Sequence, residues 1–172
     1  MNQTLLPGPR SGAVDIPASK SQAHRLLICA ALGQAPVTLR CRGISRDIAA
    51  TIDCLNALGA GIHAEGEVLT VQPITNTPNG VCHLFCGESG STLRFLLPLA
   101  MVLGRGVTFT GTPRLLERVM PGLWGVTPCS GGLRVTGRLT GGVYRLPGGD
   151  TSQLISGMLM ALPLCREDSR LE

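Results

Sequence analysis

Aromatic side chains are scarce, with three Phe, one Trp and one Tyr among 172 residues, and no run of Lys and Arg occurs. A nucleic-acid surface needs a basic stripe for phosphates and aromatic faces on which bases stack, so that partner class is excluded. Charged residues make up only 15% while 44% are hydrophobic, a balance that excludes disorder. Long apolar runs are missing as well. The longest, Phe95 to Leu103, is too short to span a bilayer and contains Pro98. No secretory signal pattern opens the chain, so the expected setting is the cytoplasm, with no membrane partner. Cys-x-x-Cys is absent, and the seven cysteines (Cys29, Cys41, Cys54, Cys82, Cys86, Cys129 and Cys165) are odd in number and scattered. They read as free thiols of a reduced compartment. Cys82 and Cys86 flank His83, but no second ligand pair follows at zinc spacing, so no metal is expected.

What is present is one recurring device. Ser19-Lys20-Ser21-Gln22-Ala23-His24-Arg25 places two hydroxyls, an amide and two cations at the start of a helix. Ser19 with Gln22 reads as a capping box, and Ala23, Leu26, Leu27, Ala30 and Ala31 give the apolar stripe until Gly33. Free N–H groups and the positive end of the helix dipole, next to Lys20 and Arg25, suit a phosphate or carboxylate. A similar opening, Glu88 to Thr92, precedes Leu93, Leu96, Leu97, Ala100 and Met101. A third, Asp150 to Gln153, precedes Ile155, Met158, Leu159 and Leu162. Superposing the stripes aligns Lys20, Gly90 and Ser152, 70 and 62 residues apart. This is an internal repeat, and it suggests several helix mouths facing one ligand. The net charge of +4 fits a small anionic substrate.

Around these helices the chain alternates. Ala13 to Ile16 reads as a short strand, then come the first helix, a strand at Val37 to Cys41, a helix from Arg46 to Gly59, and a hairpin of Ile62 to Ala64 with Val68 to Val71. Turn-rich residues 72–80 lead to a strand at Val81 to Phe85 and the second helix. Next come a strand at Val107 to Thr110 and a helix beginning at Pro113 and running to Met120, interrupted by Pro121, Gly122, Gly125 and Pro128. Strands at Leu133 to Thr136 and Val143 to Leu146 precede the third helix, and the last residues read as the start of another strand. The expected class is α/β, built from repeated units.

Four blocks carry a resemblance: Pro17 to Arg25, Cys86 to Phe95, Thr110 to Arg118, and Gly149 to Gln153. In this order they resemble 5-enolpyruvylshikimate-3-phosphate synthase, also called 3-phosphoshikimate 1-carboxyvinyltransferase, over nearly the whole chain but less than half of a family member. The resemblance implies an inverse α/β barrel of βαβαββ units, here two units and the start of a third. Residues 1–16 would pair with an absent second domain, and 17–172 would form part of the first domain. The related enolpyruvyl transferase acting on UDP-N-acetylglucosamine fits less well: Ser-Lys-Ser-Gln and Thr-Ser-Gln belong to the shikimate branch, and Cys129 lies outside a convincing match to its cysteine loop.

The implied reaction moves the enolpyruvyl group of phosphoenolpyruvate to the 5-hydroxyl of shikimate 3-phosphate, with no metal or organic cofactor. By resemblance Lys20 contacts both substrates and acts in catalysis. Gly90, Arg118 and Gln153 hold phosphoenolpyruvate, and Ser21, Arg25, Thr151, Ser152 and Gln153 hold shikimate 3-phosphate. Thr151 stands where the family commonly has Ser, Glu88 where many members have Asn, and Gly at position 90 implies a glyphosate-sensitive type. Arg94 is expected to be structural, and His24, His63 and His83 incidental. The complete enzyme would be a monomer, and this chain alone inactive, because the second domain supplies further acid, base and cationic groups. The residues themselves leave a second reading open, a non-catalytic anion-binding module.

Overall fold

A computed structural model describes all residues except 1, 2, 5, 77, 78, 104, 105, 119–124 and 147–151. The first unit runs α1 (Lys20–Ala31), β1 (Val37–Arg40), α2 (Arg46–Ala57), β2 (Gly61–Glu65) and β3 (Val68–Gln72). Ser19 and Ser45 cap the two helices by accepting from the N–H groups of Gln22 and Ile48. The strands form an antiparallel sheet in the order β1-β3-β2.

The second unit runs β4 (Cys82–Phe85), α3 (Gly90–Leu103), β5 (Val107–Thr110), α4 (Pro113–Glu117), β6 (Val126–Cys129) and β7 (Gly132–Val135). Its sheet order is β4-β5-β7-β6, with β4 and β5 parallel and the other pairs antiparallel. Removing β4 leaves an order that matches the first unit strand for strand. A third unit starts with β8 (Gly142–Tyr144), α5 (Ser152–Ala161) and β9 (Ser169–Leu171); β8 and β9 are parallel, like β4 and β5. The repeat inferred from three helix openings is therefore a repeat of larger units, complete as βαβαββ in the second, without its leading strand in the first and begun as βαβ in the third. The three aligned positions, Lys20, Gly90 and Ser152, are the first residues of α1, α3 and α5.

The core lies around α3, where Thr92, Leu93 and every residue from Phe95 to Met101 is buried. Pro98 lies inside that helix and is buried with its neighbours. α5 packs against α3 more extensively than any other pair of elements does, and Gly157 is why they can approach. A Cβ there would lie 2.7 Å from the Arg94 carbonyl and 3.0 Å from that of Phe95.

Four expectations change. Ala13 to Ile16 form no strand: Val14 and Ile16 are 84% and 72% exposed, and among the described residues no strand pairs with them. Leu26 and Leu159 are exposed, so the buried faces of α1 and α5 are turned from the stripes read in sequence. That of α5 is Leu154, Gly157, Met158 and Ala161. α4 ends at Glu117 rather than Met120, with Arg118 as its cap. Finally, β6 is a strand although Pro128 argued against one. It is the edge strand of its sheet, where a missing N–H costs little, and it turns into β7 through Gly131 at φ +72°.

Candidate functional site

The first turns of α1, α3 and α5 are tied to one another by side chains. Arg25 on α1 donates through Nη2 to Ser156 Oγ on α5 at 2.9 Å and through Nη1 to the Ser21 carbonyl at 2.8 Å. Its guanidinium lies 4.9 Å from the centre of the Phe95 ring on α3, so the cation is oriented by a π face as well as by hydrogen bonds. Gln153 on α5 donates to Ser91 Oγ on α3 at 2.9 Å. Ser152 is the first residue of α5, and its carbonyl accepts from Ser156 Oγ at 3.0 Å. Arg25 of the first opening thus reaches α5 and Gln153 of the third reaches α3, across 131 and 62 positions of the chain. Thr151, with Gly149 and Asp150 of its block, lies outside the described residues.

Arg94 is the residue that the sequence undervalued. Its Nη1 donates to Gln153 Oε1 at 3.3 Å and to the Gly90 carbonyl at 3.4 Å, and its Nη2 donates to the Arg118 carbonyl at 3.1 Å. One guanidinium therefore links three expected site positions. Burial, and then the nearby charge of Arg118, lower its pKa from the usual guanidinium value. Among the described residues no carboxylate pairs with either arginine. Two close cations without a counter-charge favour an anion. The available signal was position: Arg94 follows Gly90 by one helical turn and so returns to the same mouth. Gly90 is crowded by it, since an added Cβ would lie 2.6 Å from Arg94 Nη1.

Lys20 Nζ is 3.0 Å from Asp47 Oδ2 at the start of α2, with the lysine side chain 59% exposed. A pair this open contributes about 0–1 kcal/mol, so an incoming anion can compete for the ammonium. Ser21 is exposed beside it. Glu88, Thr112, Arg114, Leu115 and Arg118 line an open cavity of about 180 Å³ below α3. His24, read with His63 and His83 as having no partners that suggest catalysis, is a core residue. It is 1% exposed and its Nδ1 lies 2.7 Å from Thr51 Oγ1, because its place on α1 turns it into the core. His63 and His83 are exposed. No group of three or more His, Cys, Asp or Glu that could hold a metal occurs among the described residues.

The family model for EPSP synthase (3-phosphoshikimate 1-carboxyvinyltransferase) matches residues 6–124. A 3-phosphoshikimate 1-carboxyvinyltransferase of Clostridium kluyveri is 39% identical over 98% of this chain, and one of Clostridium beijerinckii is 35% identical over 99%. The chain spans 42% and 43% of those relatives' lengths. The 2.37 Å structure of EPSP synthase from Acinetobacter baumannii superposes with a TM-score of 0.70 over 87% of this chain and 37% of that one, at 23% identity. The fold expected from the resemblance, part of an inverse α/β barrel, is thereby shown. With the family model covering more than half of its residues, the chain belongs to the EPSP synthase (3-phosphoshikimate 1-carboxyvinyltransferase) family.

Proposed function

We propose that this chain supplies the first-domain half of an enzyme that joins phosphoenolpyruvate to shikimate 3-phosphate. The 5-hydroxyl adds to C2 of phosphoenolpyruvate while C3 takes a proton, giving a tetrahedral adduct. Loss of phosphate and of a proton from C3 then yields 5-enolpyruvylshikimate 3-phosphate. Both substrates are rich in phosphate and carboxylate, so fixed cations and helix N-termini suit the charge that develops.

In this reading Arg25 and Ser21 at the mouth of α1, with Thr151 and Ser152 at that of α5, hold shikimate 3-phosphate. Gly90 and Arg118 hold phosphoenolpyruvate, Lys20 meets both, and Gln153 lies between them. The carrying observation is the set of hydrogen bonds among first turns, Arg25 to Ser156, Gln153 to Ser91 and Arg94 to Gln153. They tie α1 to α5 and α5 to α3, which supports a site shared by the openings of three units. Residues 1–16 would belong with a second domain, and 17–172 with the first. That second domain would close over the substrates, exclude water and add the remaining acid, base and cationic groups. The setting proposed is the cytoplasm. No helix among the described residues is long and apolar enough to cross a membrane.

Calorimetric titration with shikimate 3-phosphate tests the reading. Saturable binding by the native chain that Arg25→Ala abolishes is the expected result. A folded chain that takes up no ligand would overturn the half-site. Incubation with both substrates should give no 5-enolpyruvylshikimate 3-phosphate; its appearance would refute the need for the second domain.

A further inference from the structure

Beneath the mouths of α1 and α3 runs a buried file of polar side chains that the substrate roles above leave unused. His24 on α1 is 1% exposed, Thr51 on α2 and Thr92 on α3 are fully buried, and Ser89, just before α3, is 3% exposed. Three contacts of 2.7 Å connect them in order: His24 Nδ1 to Thr51 Oγ1, Thr51 Oγ1 to Thr92 Oγ1, and Thr92 Oγ1 to Ser89 Oγ. Ser89 Oγ also accepts the Thr92 N–H at 3.2 Å, which makes it the cap of α3.

The direction of donation follows from one orphan. His24 Nε2 is buried with no hydrogen-bond partner. Were the ring proton on Nε2, a buried N–H would lack an acceptor, the rarer and costlier kind of unsatisfied group. With the proton on Nδ1 only a lone pair is unmet. The ring then donates to Thr51, Thr51 to Thr92 and Thr92 to Ser89, each hydroxyl giving its single proton. The Asp47 carbonyl, 3.3 Å from Thr92 Oγ1, is a longer competing acceptor. Charged groups facing the ring are Asp47 at the start of α2, and Lys20 and Arg25 on α1. α3 presents the Phe95 ring, 6.0 Å away and inclined at 62°. A second proton would place an imidazolium beside two cations with no acceptor for its Nε2.

We propose that His24 is a positioning residue for the candidate anion site: neutral and protonated on Nδ1, it sets the donor direction of the Thr51, Thr92 and Ser89 file and so fixes the mouth of α1 against that of α3. That these mouths form the site rests on the proposed function. The state of the ring does not.

Nitrogen-15 NMR of the labelled 172-residue chain tests the ring state, with the His24 signals identified by their loss in His24→Asn. A protonated Nδ1, a bare Nε2 and a neutral ring at about pH 6.5, the ordinary imidazole midpoint, is the expected result. A proton on Nε2, or a ring already half-protonated at that pH, would overturn the proposal. A second arm separates positioning from packing. His24→Asn sets an amide N–H where Nδ1 stood, whereas His24→Leu fills similar space without a donor. Amide resonances of Lys20, Ser21, Gly90 and Ser91 should stay native in the Asn variant and move together in the Leu variant. Thr51→Val cuts the file one step on and should act alike, so the test survives if His24→Leu does not fold. Native resonances in Thr51→Val would sink the idea. Phosphoenolpyruvate affinity should fall about tenfold in Thr51→Val and stay within about threefold in His24→Asn, the size of one buried hydrogen bond. A native chain that binds no phosphoenolpyruvate would count against the proposed function, and the ring and amide measurements would still decide the role of His24.

Discussion

At the scale of single residues, Gly90 and Arg94 act as a pair. In Gly90→Ala the new Cβ falls 2.6 Å from Arg94 Nη1, and the far end of a flexible side chain moves more easily than backbone. Stability should therefore drop by less than about 1 kcal/mol. The guanidinium would leave Gln153 and the Arg118 carbonyl, so phosphoenolpyruvate binding should weaken more than stability does. Urea unfolding alongside calorimetry separates the two effects. Arg94→Lys should weaken binding too, because a point charge cannot donate to Gln153 and Arg118 in one plane. His24 gives a pH dependence whose sign is fixed. Burial lowers its pKa from 6.5 in spite of the opposing pull of Asp47, so below pH 6.5 the unfolded chain takes a proton that the native chain refuses. Its contribution is complete above 6.5 and declines as pH falls, with a limiting slope of about 1.4 kcal/mol per pH unit. Denaturant midpoints from pH 7.5 to about 5 should fall in the native chain and flatten in His24→Asn. A midpoint that rises on acidification would contradict this.

Among elements, the α3 and α5 contact depends on the absence of a side chain at Gly157. Gly157→Ala would press a methyl to within 2.7 Å of a carbonyl that cannot turn away, so it should cost about 1–3 kcal/mol despite the better helix propensity of alanine. Thermal unfolding measures it, and a more stable variant would show that the helices can separate without loss. α4 is only five residues long, and Thr112 caps it by accepting from the Leu115 N–H at 3.4 Å. Thr112→Ala should cost about 1 kcal/mol and loosen Arg118, which ends the helix.

For the molecule as a whole, the segment before α1 is held by little: an exposed Asp15 to Arg42 ion pair at 3.1 Å and the Ala18 N–H to Arg42 carbonyl bond at 2.7 Å. Deleting residues 1–16 keeps the second and removes only the first. The denaturation midpoint should barely move, within about 1 kcal/mol, and a large loss would mean that the segment packs on the core. What the sequence determined by itself is local. The polar openings and the apolar stripes after them located α1, α3 and α5, because capping and periodicity act within a few residues of the chain. Recurrence of one opening disclosed an internal repeat, and the resemblance carried by four blocks implied the fold, before any contact was known. Helix rotation could not be read this way: Leu26 and Leu159 are apolar in pattern yet exposed, since which side of a helix is buried depends on what lies against it. Nor could β6, whose proline is acceptable only because the sheet ends there. Tertiary structure alone decided that Arg94 would serve Gln153 and Arg118, and that His24, in appearance an ordinary helical histidine, would head a buried file of hydroxyls. The partners in these bonds lie 24 to 59 positions apart. Distances of that kind are set by how sheets and helices pack, which no short stretch of sequence contains.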